Sequence, residues 1–124
     1  MAKLIDTNYL LRYLLCDNEL MYDTAKRVIS EGAETLPESI AEIVYVLKGV
    51  YNIERQQIAA AVSALLKDVG VQNKERIAAA LAIYADSSFD YVDCLYLASA
   101  QQRNENIFTF DKKMNNYMKN RFGL

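Results

Sequence analysis

Residues 3–8 read Lys-Leu-Ile-Asp-Thr-Asn, an apolar run that stops at an acid just before a helical pattern. The run predicts a buried strand over residues 3–5, and the leucines of residues 8–16 fall on one side of a helix. Residues 107–113, Ile-Phe-Thr-Phe-Asp-Lys-Lys, repeat this arrangement. If both strands lie parallel in one sheet, Asp6 and Asp111 meet at its carboxyl edge, where such folds bind ligands.

The other apolar patterns predict helices separated by short turns. Asp17 or Asn18 caps a helix that stops at Gly32, and Pro37 opens another at its first turn, where a missing N–H costs nothing. In full, we predict strands over residues 3–5, 34–36 and 107–110, and helices over residues 8–16, 18–31, 37–49, 53–69, 73–85, 90–103 and 112–120. Strands that alternate with helices imply a parallel sheet with helices on both faces. The length predicts a single domain spanning residues 1–124.

The composition excludes several classes of enzyme. The chain has no histidine, which rules out Ser-His-Asp and Cys-His catalysis and zinc sites that need imidazole. Cys16 and Cys94 stand apart without CxxC spacing, so we expect buried, reduced thiols. The start does not resemble a signal peptide, and the longest apolar run, residues 77–85, is too short to span a bilayer. We therefore expect a cytoplasmic protein.

Charge is distributed unevenly along the chain. The net charge is −2, so there is no overall basic footprint for nucleic acid. The stretch after Asp111 nevertheless carries four bases and no acid, namely Lys112, Lys113, Lys119 and Arg121. A solvated last helix and a phosphate-binding surface both fit this cluster.

Two helices carry acids in largely apolar surroundings. Asp93 lies in the first turn of a helix that is apolar on nearly all sides, where a charge needs a partner, a capping role or a cation. Glu42 lies a turn inside the Pro37 helix, on a narrow stripe that is either functional or simply solvated. Asp90 and Glu38 have simpler interpretations, as a helix cap and as a first-turn acid favoured by the helix dipole.

Taken singly, Asp6 and Asp111 also suit helix caps. Gathered at one edge, these acids would repel each other, and few lysines or arginines lie nearby in the sequence. A divalent cation is the natural partner, and all-oxygen ligation suits Mg²⁺ or Mn²⁺. We predict that Asp6, Glu42 and Asp93 hold one ion, and that Asp111 completes the site or holds a second. Such ions serve phosphoryl chemistry.

The same segments resemble the motifs of PIN domains. Residues 4–8 (Leu-Ile-Asp-Thr-Asn) resemble the opening motif with its strand-end acid, and residues 42–47 (Glu-Ile-Val-Tyr-Val-Leu) resemble the helix that bears the second acid. Residues 89–95 (Phe-Asp-Tyr-Val-Asp-Cys-Leu) and 109–113 (Thr-Phe-Asp-Lys-Lys) resemble the third and fourth motifs. Four motifs in this order cover almost the whole chain and are most similar to those of VapC-like toxins.

The resemblance implies a three-layer α/β/α fold with a small parallel sheet of about four or five strands and about seven helices. It also implies a Mg²⁺-dependent endoribonuclease, the toxin of a bacterial type II toxin–antitoxin pair, with a homodimer and a cognate antitoxin. Apolar surface on the sides of the Pro37 helix favours the homodimer as well. The chain ends soon after the last helix, so we expect the fifth, edge strand to be short or missing.

The resemblance assigns catalysis and metal binding to Asp6, Glu42, Asp93 and Asp111, with water attacking the phosphodiester in line. Supporting positions are Asn8, Thr109 and Asp90, and the predicted contacts to RNA phosphates are Arg12, Lys112 and Lys113.

Three other functions are alternatives to a PIN-like ribonuclease. A phospho-accepting receiver domain needs an Asp at the end of a mid-chain strand near residues 50–57, and that stretch contains no Asp. A non-catalytic binding module with the same fold remains an alternative, although the presence of all four acids argues against lost activity. A DNA-directed or structure-specific nuclease also remains, because these motifs do not separate RNA from DNA.

Overall fold

The computed structural model describes residues 2–124 and contains two short strands and seven helices within them. In chain order the elements are β1 (Lys3–Leu4), α1 (Thr7–Leu15), α2 (Glu19–Ser30), β2 (Ala33–Glu34), α3 (Pro37–Gly49), α4 (Arg55–Asp68), α5 (Lys74–Ala85), α6 (Tyr91–Arg103) and α7 (Lys112–Phe122). The predicted seven helices are confirmed, with bounds that differ from the predicted ones by a residue or two.

Local signals in the sequence set several of these bounds. Asn18 caps α2, because its side chain accepts a hydrogen bond from the backbone N–H of Met21 at 3.0 Å. The chain leaves α2 through Gly32, whose φ of 108° suits glycine. Pro37 occupies the first turn of α3, as predicted. After Gly32 the chain runs parallel to β1 as β2, and Pro37 then begins α3 just after β2 ends.

The sheet is smaller than predicted. β1 and β2 pair in parallel, with Lys3 opposite Ala33 and Leu4 opposite Glu34. Gly70 extends the sheet by a single parallel bridge to Glu34. The expectation of four or five strands is therefore wrong for residues 2–124, which form one two-stranded sheet.

The strand predicted over residues 107–110 does not form. Side chains of this segment and of α7 take up its polar groups: Asn115 donates to the carbonyl oxygen of Thr109 at 3.0 Å, and the Thr109 hydroxyl accepts from the N–H of Asp111 at 3.0 Å. Phe108 and Phe110 project into solvent. These hydrogen bonds tie the segment to the start of α7, and every second side chain of the segment is exposed instead of all of them being buried in a strand.

The core lies among the helices. α5 packs against both α4 and α6, and α3 packs against α1, α4 and α6. Fully buried side chains from five helices meet there: Leu10, Ile43, Ile58, Leu81 and Leu97. Burying such a side chain stabilises the fold by about 1.5–3 kcal/mol, so helix packing rather than the small sheet holds the domain together.

The two cysteines differ in exposure. Cys94 is buried in α6, as expected, whereas Cys16 is exposed, so the prediction for Cys16 is wrong. Cys16 lies just after α1 in the left-handed conformation, with a φ of 52°, and this turn directs it away from the core.

Within residues 2–124, none of the helices has both the length and the apolar character needed to cross a membrane.

Candidate active site

Asp6 is fixed between the sheet and a helix. Ile5, just before it, donates its N–H to the carbonyl oxygen of Glu34 at 2.8 Å and accepts a bond from the buried Thr35 hydroxyl at 2.9 Å. The Asp6 carboxylate is exposed and caps α1, accepting from the N–H of Tyr9 through Oδ1 at 3.0 Å. Asp6 thus lies at the carboxyl edge of the sheet.

Glu42 lies in the second turn of α3, on the exposed side of that helix. The argument that its carboxylate is costly inside an apolar helix is therefore wrong. The buried face of α3 is formed instead by Ile40, Ile43, Val44 and Leu47. Glu38 is also exposed in the first turn, so burial does not separate these two acids.

Asp93 is half-buried in the first turn of α6. Burial raises the pKa of the Asp93 carboxyl above its ordinary value, and the neighbouring carboxylates of Asp90 and Asp111 raise it further. Asp93 therefore lies within electrostatic reach of the acid that precedes its helix and of one that lies far along the sequence. The expectation that Asp93 carries a charge in unfavourable surroundings agrees with this geometry.

Asp90 occupies the capping position of α6, yet its side chain makes no capping hydrogen bond. Its interpretation as an ordinary cap is correct in position and wrong in chemistry. An uncapped carboxylate that acts on Asp93 is better described as part of the acidic group.

Asp111 caps α7. Its Oδ1 accepts from the N–H groups of Lys113 at 2.8 Å and Met114 at 3.2 Å. Thr109 supports Asp111 from the other side, since its hydroxyl oxygen accepts the Asp111 N–H. The Thr109 hydroxyl therefore contacts the backbone of Asp111, and its support of a metal site stays a prediction.

The structure brings only some of the acids together: Asp90 and Asp111 lie within electrostatic reach of Asp93. Within residues 2–124 no hydrogen bond joins Asp6 or Glu42 to them, and the strand that was expected to place Asp111 at the sheet edge beside Asp6 does not form. Among residues 2–124, no group of three or more acids, histidines or cysteines is arranged to hold a metal ion. The three ion pairs of this part of the chain involve other acids, so Asp6, Glu42, Asp93 and Asp111 have no basic partner within it.

The donor chemistry still fits a hard divalent cation. All four side chains offer carboxylate oxygens, the ligands that Mg²⁺ and Mn²⁺ prefer. Asp6 and Asp111 cap their helices through Oδ1, and no hydrogen bond to either Oδ2 is formed within residues 2–124. Each carboxylate can therefore cap a helix and bind a cation at the same time.

The basic residues named by the sequence have different surroundings. Arg12 is paired with Asp17, with 2.6 Å between Nη1 and Oδ2, so it has less freedom to bind phosphate. Asn8 lines the same cleft between α1 and α2 as Arg12. Lys112 and Lys113 are exposed in the first turn of α7 and form no ion pair with residues 2–124.

Arg55 is a positioning residue that the sequence analysis missed. Its Nε donates to the carbonyl oxygen of Tyr84 at 2.9 Å, and its Nη2 donates to that of Phe89. The guanidinium also lies 3.7 Å from the centre of the Tyr84 ring. Arg55 therefore holds the turn that leads into α6, and with it Asp90 and Asp93. No local pattern indicates this role, because the partners lie 29 and 34 residues away.

The sequence matches the family model of the PIN domain over residues 3–120. No curated protein and no solved structure matches the chain.

Proposed function

This chain belongs to the PIN domain family, a family with a nuclease fold, and from that premise we propose that it is a metal-dependent endoribonuclease. The proposed reaction is hydrolysis of RNA phosphodiester bonds with Mg²⁺ or Mn²⁺. The family supports nuclease activity in general, and the finer assignment rests on the acids described above.

The observation that carries the proposal is the match to the PIN domain family over residues 3–120, and the acidic surroundings of Asp93 support it. Asp93 is half-buried, Asp90 and Asp111 act on it, and no lysine or arginine of residues 2–124 pairs with any of the three. Like charges collected without a counter-charge disfavour ionisation, and a divalent cation reverses that balance.

We assign Asp6, Glu42, Asp93 and Asp111 as the ligands. When bound there, Mg²⁺ or Mn²⁺ supplies Lewis acidity toward the phosphodiester and lowers the pKa of water. The protein contributes fixed positions: Asp6 and Asp111 are held as helix caps, and Arg55 holds the start of α6. Lys112 and Lys113 are free to bind the phosphates that flank the scissile bond.

The proposed biological role is that of a toxin in a bacterial type II toxin–antitoxin pair. In this role the protein acts in the cytoplasm on cellular RNA, and a cognate antitoxin blocks the acidic site. We also propose a homodimer. α3 and the residue after it leave apolar side chains in solvent, with Tyr45 51% exposed and Val50 73% exposed, and apolar surface of this kind is typical of interfaces.

One observation favours a second candidate, a non-catalytic binding module with the same fold. The acids of residues 2–124 do not form a group of three that could hold a metal ion. In that case the protein binds RNA or a protein partner and leaves it intact. A nuclease that acts on DNA is the other alternative to test.

The test is cleavage of matched substrates: single-stranded RNA, single-stranded DNA of the same sequence, and duplex RNA. We expect cleavage of RNA with Mg²⁺ or Mn²⁺, none in EDTA, and none by Asp93→Asn. Asp86→Asn is the matched control, because Asp86 is exposed and pairs only with Arg121, 3.1 Å away, and it should retain full activity.

Three results would contradict the proposal. Cleavage in EDTA by contaminant-free protein would exclude the metal. Cleavage of DNA in preference to RNA would support the DNA-directed alternative. Binding of RNA without cleavage under every metal condition would support the non-catalytic module.

A further inference from the structure

Residues 107–110 expose two aromatic rings beside the acidic group. Ile107 and Thr109 are half-buried, whereas Phe108 and Phe110 are each 105% exposed relative to a reference chain. This alternation is that of an extended segment, in which every second side chain projects to the same side. Phe108 and Phe110 therefore form an exposed aromatic pair that leads directly into Asp111.

The aromatic pair does not contribute to the stability of the fold. A phenylalanine buries about 150–250 Å² when it enters a core, and neither ring gains any of that burial. Exposed apolar surface next to polar residues commonly marks a binding site.

Two basic residues follow Asp111, the acid next to the aromatic pair. Lys112 and Lys113 are exposed in the first turn of α7, and that turn contains no acid. A cation at the start of a helix opposes the helix dipole, so helix stability does not explain the two lysines. Anionic ligands, in contrast, are favoured at this end of a helix.

We propose that Phe108 and Phe110 form a stacking platform for the bases of a single-stranded RNA, while Lys112 and Lys113 bind its phosphates. Aromatic rings beside basic residues are the usual means of holding single strands without sequence readout. The platform delivers the backbone to Asp111 and Asp93. This inference rests on the proposed function, because it describes how the same site holds its substrate.

The experiment measures binding in EDTA, where we expect no cleavage. A fluorescein-labelled uridine-rich 12-mer of RNA is titrated with wild-type protein and its anisotropy is recorded. We expect Phe108→Ala and Phe110→Ala each to weaken binding by about fivefold or more, the effect of losing one stacked base. Both variants should keep the wild-type melting temperature, because the rings have no folded contacts to lose.

Matched variants separate stacking from general apolar contact. Phe110→Leu keeps an apolar side chain and should bind as weakly as Phe110→Ala. Phe110→Trp should bind as well as wild type, and since the chain has no tryptophan of its own, quenching of its fluorescence by RNA reports contact directly. Leu20→Ala removes a side chain that is 78% exposed on α2 and should change nothing.

Several outcomes overturn the platform. Unchanged affinity in the alanine variants refutes stacking, as does full affinity in Phe110→Leu. A fall in molar mass or in melting temperature in the alanine variants shows that a second copy of the chain or the fold itself covers the rings. If binding depends on both rings but no RNA is cleaved in Mg²⁺, the platform is supported and the nuclease is refuted. If RNA is cleaved equally well with and without the two rings, the nuclease is supported and the platform is refuted.

Discussion

Asp111 has two roles that a pair of substitutions can separate. Its Oδ1 accepts two backbone N–H groups of α7, at 2.8 and 3.2 Å, and its charge belongs to the proposed cation site. Asp111→Asn keeps an oxygen in the capping position and removes the charge. Asp111→Ala removes both the oxygen and the charge. The difference in stability between the two variants therefore measures the cap, and the difference between Asp111→Asn and wild type measures the charge.

The magnitudes follow from the capping geometry. Loss of a side-chain cap typically costs about 1 kcal/mol, and up to about 2 kcal/mol. For a domain of this size that lowers the melting temperature of Asp111→Ala by roughly 3–6 °C. Asn and Asp cap almost equally well, so Asp111→Asn should remain within about 0.5 kcal/mol of wild type in EDTA.

The assay is thermal melting with and without Mg²⁺, together with RNA cleavage. Mg²⁺ should raise the melting temperature of wild type, as any ligand specific to the folded state does, and should raise that of Asp111→Asn much less. Cleavage by both Asp111 variants should fall sharply. Asn18→Ala is the control, because Asn18 caps α2 by one bond at 3.0 Å and should lose stability without losing cleavage.

Two results would refute this reasoning. If Asp111→Asn cleaves RNA and responds to Mg²⁺ as wild type does, Asp111 is only a cap. If Asp111→Asn loses as much stability in EDTA as Asp111→Ala, the charge rather than the hydrogen bonds stabilises α7.

Three further predictions concern Asp93, Arg55 and assembly. The raised pKa of Asp93 means that its charged form destabilises the fold, so metal-free Asp93→Asn should be more stable than wild type near neutral pH. This gain in stability should shrink as the pH falls through the folded-state pKa, and it should vanish below the unfolded value of 3.8. Urea titrations that show no such trend would count against the burial and repulsion described. Arg55→Ala loses two hydrogen bonds from a charged donor, so its free energy of unfolding in urea should fall by about 3 kcal/mol. Arg55→Lys should restore only part of that free energy, because lysine lacks the planar fork of arginine. A fall under about 0.5 kcal/mol in Arg55→Ala would contradict the positioning role of Arg55. Light scattering at micromolar concentration should give the mass of a dimer, and Tyr45→Glu should give a monomer; a monomeric wild type would refute the homodimer.

Local signals in the sequence predicted most of the helices. Asn18, Gly32 and Pro37 set their helix bounds by chemistry that acts within a few residues. The strand over residues 107–110 was wrong because a short apolar run indicates that a strand can form, and it does not indicate whether a neighbouring strand is present to pair with it. The extent of the sheet depends on contacts between distant segments, such as the bridge from Glu34 to Gly70.

The site was predictable in its residue types more than in its surroundings. The absence of histidine and the position of the strand-end acids indicated that any metal chemistry must rest on carboxylates. Burial around each helix was not predictable to the same degree, so Glu42 was expected in apolar surroundings and is exposed. Arg55 contacts the turn before α6 across 29 and 34 residues, a separation at which one sequence carries no pairing signal.

The central claim is that the four acids act together as one cation site. Calorimetric titration of Mn²⁺ into metal-free protein tests this claim most directly. We expect saturable binding to wild type, and affinity at least about tenfold lower in Asp6→Asn, Glu42→Gln, Asp93→Asn and Asp111→Asn, since loss of even an outer partner of a metal ligand typically costs that much. Asp86→Asn should bind as wild type does. Absence of saturable binding to wild type, or wild-type affinity in all four variants, would contradict the account.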